Sequence, residues 1–264
     1  MTNRIKNTFG ALAERSEKAF IAYIMAGDPD MAKTLAYVRA LIQGGADIIE
    51  LGMPFSDPIA DGPTIQKAAQ RALQSKTNIS KIFALVRTLR KTSGIPIVLM
   101  GYINPVLKYG TKRFFIDAAR SGVDGLILPD LPLEEIDHVK EYARQSGIDI
   151  ILLAAPTSDR QRLLELSKYT SGFLYYISMT GVTGSLKKMG HAAFESIRWI
   201  RRNTPKPVAV GFGISTPRQA KTIAALADGI VVGSAFVKLI ENNKNASARI
   251  AALTRRLKSA ANIH

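Results

Sequence analysis

Eight short apolar runs, each closed by Gly, Pro, Asp or Ser and each followed by a stretch of helical periodicity, leave this chain few possible folds. They lie near 20–26, 47–52, 95–100, 124–129, 149–154, 172–178, 206–212 and 228–233. Between them, Ile82, Leu85, Val86 and Leu89 recur at i, i+3, i+4 and i+7. Leu35, Val38 and Ile42 keep a similar spacing, as do Ile136, Val139 and Ala143. Near-continuous apolar strands alternating with helices form a parallel sheet covered on both faces. Eight such units in about 250 residues are the pattern of a closed (β/α)8 barrel. An open doubly wound sheet is the alternative, but no Gly-x-Gly-x-x-Gly follows the first strand.

Ahead of the first strand, Ile5, Phe9 and Leu12 stand at helical spacing and predict an extra N-terminal helix. Its apolar stripe is suited to plugging the bottom of the barrel. Asp28-Pro29, Gly62-Pro63 and Thr216-Pro217 read as helix starts, since proline fits the first turn. No linker or low-complexity stretch interrupts the chain, so 1–264 is expected to form a single barrel domain.

Composition removes several kinds of chemistry. There is no cysteine, hence no disulfide, thiolate metal site or Cys nucleophile. The three histidines, His138, His191 and His264, are too few and too scattered for a His-rich metal site or a Ser-His-Asp triad. No apolar run reaches the roughly 18 residues of a membrane span, and no signal-peptide core follows the N-terminus. A cytoplasmic protein without membrane contact is expected. The net charge of +15 is spread over many segments, among them Arg87, Arg90, Lys187, Lys188, Arg198, Arg201, Arg202, Arg255 and Arg256. No recognition motif accompanies it, so these residues read as solvated helix faces rather than a nucleic-acid surface. The charge still steers anionic, phosphorylated ligands toward the protein.

Carboxylates remain as the acid/base groups. Glu50 lies within the apolar run Ile48-Ile49-Glu50-Leu51, and strand alternation puts it on the same side as Ile48. Such a position rarely holds an acid for packing reasons. Either Glu50 is a catalytic group, or it is paired with a buried cation, for which no neighbouring strand end offers a partner. A Gly/Pro-punctuated loop follows with Asp57 and Asp61. Asp57 reads as a turn residue; Asp61 is either a second functional acid or the cap of the helix that starts at Pro63. Barrel active sites gather at strand ends, which brings Tyr102, Asp130 and Tyr175 to the same face as wall or loop residues. Glycines cluster there as well: Gly181 and Gly184, Gly211 and Gly213, then Gly233-Ser234. Loops after strands seven and eight are the usual phosphate site of this fold.

These residues closely resemble the tryptophan synthase alpha family over essentially the whole chain. The most specific part is the segment from Ile49 to Gln66. Gly27-Asp28-Pro29, Gly101-Tyr102-Ile103-Asn104-Pro105, Pro129-Asp130-Leu131-Pro132, Gly181-Val182-Thr183-Gly184, Gly211-Phe212-Gly213-Ile214 and Gly233-Ser234-Ala235 support it. The resemblance implies retro-aldol cleavage of indole-3-glycerol phosphate to indole and glyceraldehyde 3-phosphate, without metal or cofactor. It assigns both proton transfers to Glu50 and the indole N–H to Asp61, which as a loop acid nearer solvent stays ionised. Tyr175 is carried over as a contact near the glycerol phosphate, and Tyr102 and Phe212 as walls of the indole site. Gly184, Gly213, Gly233 and Ser234 would hold the phosphate, and Thr183 would meet Asp61 when the loops at 53–61 and 179–190 close.

Met179 and Tyr23 depart from residues found in some relatives, Arg and Phe respectively. The resemblance also implies a beta subunit as partner in an αββα assembly; that subunit carries the pyridoxal phosphate. The strand-end face with an exposed Pro54 and Phe55 would meet it. A phosphosugar isomerase or decarboxylase on the same barrel, or a subunit that only activates its partner, are the competing readings. The Glu50–Asp61 pair speaks against both.

Overall fold

The computed structural model describes residues 3–177, 191–211, 213–242 and 245–263. Its strands are β1 (Ala19–Met25), β2 (Ile48–Gly52), β3 (Ile97–Met100), β4 (Gly125–Ile127), β5 (Asp149–Ile150), β6 (Leu153–Ala154), β7 (Leu174–Ile177), β8 (Val208–Gly211) and β9 (Gly229–Val232). All pair in parallel, in the order β5-β4-β3-β2-β1-β9-β8-β7-β6. The expected fifth strand is split in two. β5 pairs with β4 and β6 pairs with β7, and only Ile151 and Leu152 separate them. The Ile151 N–H reaches Leu126 O on one side, while Leu152 O accepts from Tyr175 N–H on the other. The two ends of the sheet are therefore one run of chain, and the sheet closes into the anticipated barrel.

Alternation along the strands separates two apolar layers. Phe20, Ala22, Ile24, Ile49, Leu51, Ile97 and Leu99 point outward into a layer shared with the helices. Ile21, Ile48, Val98, Ile127, Ile151, Phe173, Ala209 and Val231 point inward. Helix α1 (Arg4–Glu14) adds Ile5, Phe9 and Leu12 to that inner layer, all buried, with Phe9 5.6 Å from the Phe173 ring. The stripe does plug the N-terminal end. Gly125 leaves room for this plug, since a Cβ there would meet Ile151 at 2.9 Å and Ile5 at 3.1 Å. Arg4 to Asp124 at 2.8 Å and Asn3 to Asp149 at 3.1 Å fix the helix to the barrel rim.

The outer ring comprises α2 (Met31–Gln43), α3 (Pro63–Gln74), α4 (Ile79–Arg90), α5 (Ile103–Tyr109), α6 (Thr111–Ser121), α7 (Asp137–Ser146), α8 (Arg160–Tyr169), α9 (His191–Asn203), α10 (Pro217–Ala224), α11 (Ser234–Glu241) and α12 (Ala246–Ala261). Pro63 and Pro217 begin their helices as expected, the latter with Thr216 in a reciprocal capping box with Gln219. Asp28-Pro29 does not start one. Asp30 caps α2 instead, and Asp28 turns inward to take a bidentate ion pair from Arg71 of α3, at 2.7 and 2.8 Å. Gly27 beside it has φ +85°, and a Cβ there would overlap Thr77, so only glycine suits the turn.

One basic residue departs from the solvated-face expectation. Arg90 is largely buried and donates to Gly122 O, Ile95 O and Asp124, whereas Arg87 stays exposed while donating to Ser121. Arg90 complements the carbonyl-rich end of α6. Among the described residues no helix is long and apolar enough to cross a membrane.

Candidate active site

Glu50 occupies the middle of β2, level with Tyr23 of β1 and Val98 of β3, and points into the barrel. It is 1% exposed, and neither carboxylate oxygen has a hydrogen-bond partner among the described residues. Among the described residues no lysine, arginine or histidine belongs to the buried set there, which speaks against Glu50 as half of a structural ion pair. Burial foremost, and then the charge of Asp61, push its carboxyl up to about 8. A buried acid in the apolar interior of the barrel is thus held protonated near neutrality and ready to donate.

Asp61 sits half-buried on the loop that leaves β2. It is not the cap of α3: Gly62 takes that position without a side-chain bond. Its carboxyl instead accepts the Tyr102 hydroxyl, which in turn accepts the Ala60 N–H at 3.0 Å. Burial raises Asp61 to about 6 against the lowering effect of that hydrogen bond. The acid is less solvated than its loop position suggested, yet it remains ionised above pH 6.

Tyr102 therefore does more than wall the site. It ties the β2 loop to the end of β3, and its ring lies 5.3 Å from Phe55. Asp130 accepts the Ile103 N–H at 3.0 Å and so anchors the start of α5, one residue beyond Tyr102. Asp57 is an exposed turn residue that accepts from Ser56 at 2.6 Å. Pro54 and Phe55 are half-buried rather than exposed, because Phe55 turns toward Tyr102; the protruding apolar side chain is Ile59, at 84% exposure.

Tyr175, buried on β7, faces the same cavity. The glycines at the strand ends make room for tyrosines. A Cβ on Gly211 would stand 2.6 Å from the Tyr175 hydroxyl, one on Gly52 would overlap the Tyr23 hydroxyl, and one on Gly233 would press on the Tyr23 ring at 3.1 Å. The family resemblance gives Tyr23 a wall position beside the indole ring; strand alternation puts it on the same face as Ile21, level with Glu50. Gly213, with φ +58°, follows β8, and Gly233 caps α11, whose first residue is Ser234. These three are half-buried at neighbouring strand ends, where backbone N–H groups and a helix start favour an anion. Thr183, Gly184 and Phe212 lie outside the described residues, as does Met179.

A family model for the tryptophan synthase alpha chain matches residues 9–262. The chain belongs to the tryptophan synthase alpha family. It is 50% identical to the tryptophan synthase alpha chain of Geotalea uraniireducens over 239 residues, 90% of each chain, and 50% identical to that of Geobacter sulfurreducens over the same shares. The structure of Mycobacterium tuberculosis tryptophan synthase superposes with a TM-score of 0.92 at 36% identity, covering 99% of both chains. Subunit alpha from Legionella pneumophila gives 0.89 at 36% identity, covering 98% of both. Both solved structures share this fold over nearly the whole chain.

Proposed function

We propose that Glu50 and Asp61 perform, as a pair, the lyase reaction of the tryptophan synthase alpha family in this chain. As a family member the protein is an indole-3-glycerol-phosphate lyase; the family needs no cofactor for this step, and pyridoxal phosphate belongs to the beta subunit. The observation that carries the role assignment is the unpartnered, buried Glu50 beneath an Asp61 held by Tyr102.

The chemical difficulty is that an aromatic carbon must leave with a bonding electron pair. Protonating indole C3 by the neutral Glu50 converts the ring into an iminium, and Asp61, accepting the indole N–H, stabilises its positive charge. The glycerol hydroxyl on the carbon attached to C3 then gives up its proton to the Glu50 carboxylate. Its electrons form the aldehyde carbonyl, the carbon–carbon bond breaks, and that pair returns to the ring as indole. Glu50 ends protonated, ready for the next turnover. Two carboxyls with different proton affinities make this division of labour workable.

Tyr102 bounds the indole site and Tyr175 contacts the glycerol portion. Gly213, Gly233 and Ser234, with Gly184 from outside the described residues, hold the phosphate; Phe212 and Thr183 keep the wall and closure roles that the family implies. Binding energy at the phosphate positions the reacting carbon over Glu50. We further infer that the chain works with a beta subunit in an αββα assembly, docking through the strand-end face where Ile59 protrudes. The test is release of indole from indole-3-glycerol phosphate by the purified chain, with and without a beta subunit. Weak activity alone and strong stimulation by the partner are expected. Normal turnover by Glu50→Gln would remove Glu50 from its role.

A further inference from the structure

A buried glutamate that must cycle through its ionised form needs somewhere to find a hydrogen bond. Among the described residues Glu50 has none, and a bare carboxylate in apolar surroundings is strongly disfavoured. Titratable groups facing it can be counted element by element among the described residues. From β1 comes Tyr23, from the β2 loop Asp61, from the end of β3 Tyr102, and from β7 Tyr175. β3, β4, β6, β8 and β9 present Val98, Met100, Ile127, Leu153, Ala209 and Val231 inward, none of which titrates. Tyr102 is already committed to Asp61 and Ala60. Tyr175 projects from the strand opposite β2 in the ring, and its hydroxyl lies against Gly211 of β8.

Tyr23 is differently placed. It is level with Glu50 on the adjacent strand, and its hydroxyl crosses onto β2 itself, settling over Gly52. Gly52 is two residues beyond Glu50 on the same face, about 6.6 Å along the strand. The phenol head therefore lies up the barrel axis from Glu50, on the side toward which an extended glutamate carboxylate would reach. Gly52 and Gly233 on either side leave the ring its slot.

We propose that Tyr23 is a positioning residue for the reaction, its hydroxyl donating a hydrogen bond to the Glu50 carboxylate whenever that group is ionised. This rests on the reading of Glu50 given above. Burial keeps the Tyr23 phenol protonated well beyond its ordinary range, so it remains a donor at every working pH. A donor to the charged form lowers a carboxyl's proton affinity. Its removal must raise it.

Tyr23→Phe deletes only the hydroxyl and leaves the ring in its slot. In this variant the alkaline limb of kcat/KM for indole release should move up by about one pH unit, the effect of one lost hydrogen bond to a carboxylate. Tyr175→Phe should leave that limb in place. The same shift should appear without turnover, in a carbon-13 NMR titration of the Glu50 carboxyl in the ligand-free chain, its resonance assigned by its absence in Glu50→Gln. That titration decides the question even if Tyr23→Phe turns over poorly. An unmoved limb and titration in Tyr23→Phe, or a shift confined to Tyr175→Phe, overturn the proposal while Glu50 keeps its role. Turnover retained by Glu50→Gln overturns both.

Discussion

The Tyr102 hydroxyl holds Asp61 in place, donating to its carboxyl while accepting the Ala60 N–H at 3.0 Å. One phenol thus fixes both the position of this acid and its charge. Replacing Tyr102 by Phe withdraws a hydrogen bond that lowers the Asp61 proton affinity, so Asp61 should titrate above its present value of about 6. The acid limb of the pH profile should move upward. For a rise of about one pH unit, turnover at pH 6.5 should fall about threefold, the deficit shrinking as the pH rises. An acid limb unchanged in Tyr102→Phe would separate Asp61 from that limb.

Between about pH 6 and about pH 8 Glu50 holds its proton while Asp61 does not. The roles proposed for the two acids require that combination, so kcat/KM for indole release should be bell-shaped with its maximum near pH 7. Asp61→Asn keeps the shape of the side chain and loses the charge; it should cost on the order of 100-fold or more in kcat. Glu50→Gln should abolish turnover while substrate binding, measured by equilibrium dialysis, stays within severalfold. A profile that rises steadily through pH 9 would contradict the protonated role of Glu50.

The barrel and its plug were legible because they follow from periodicity, which burial imposes on every strand and helix. Glu50 stood out for the same reason, as a carboxylate where packing admits none. What escaped was set by long-range packing. The fifth strand splits because its residues bond β4 first and β7 afterwards, which the sequence of 149–154 does not encode locally. Likewise Asp28 looked like a helix start until the fold brought Arg71 to it across 43 residues. Tyr23 resembles any apolar strand residue, and only the slot between Gly52 and Gly233 reveals where its hydroxyl goes.

Glu50 should also weaken the fold, in a pH-dependent way. Folding raises Glu50 from an ordinary 4.5 to about 8, so between those values the native state binds the proton that the unfolded chain has released. Stability then falls as pH rises through that window. Glu50→Gln removes the penalty. Its urea midpoint should match the wild type near pH 4.5 and exceed it increasingly up to pH 8, by a few kcal/mol at most. A constant difference across the range would mean that Glu50 is not the group responsible.

Asp28 and Arg71 form the anchor of α3, the helix that follows the loop carrying Asp61. The carboxylate is 1% exposed and takes both its hydrogen bonds from the guanidinium, whose side chain keeps 27% exposure and also reaches Glu241 at 3.3 Å. Removing the cation strands a charge in the interior, whereas removing both partners does not. Arg71→Leu should therefore destabilise the protein by about 3 kcal/mol. Adding Asp28→Asn should recover a large part of that loss, because a neutral amide is far cheaper to bury than an unpaired carboxylate. Urea melts of both single variants and the double variant give the coupling directly. Additive losses would show that the pair does not act as a unit, and that α3 is held by the packing of Ala68, Ala69 and Ala72 alone.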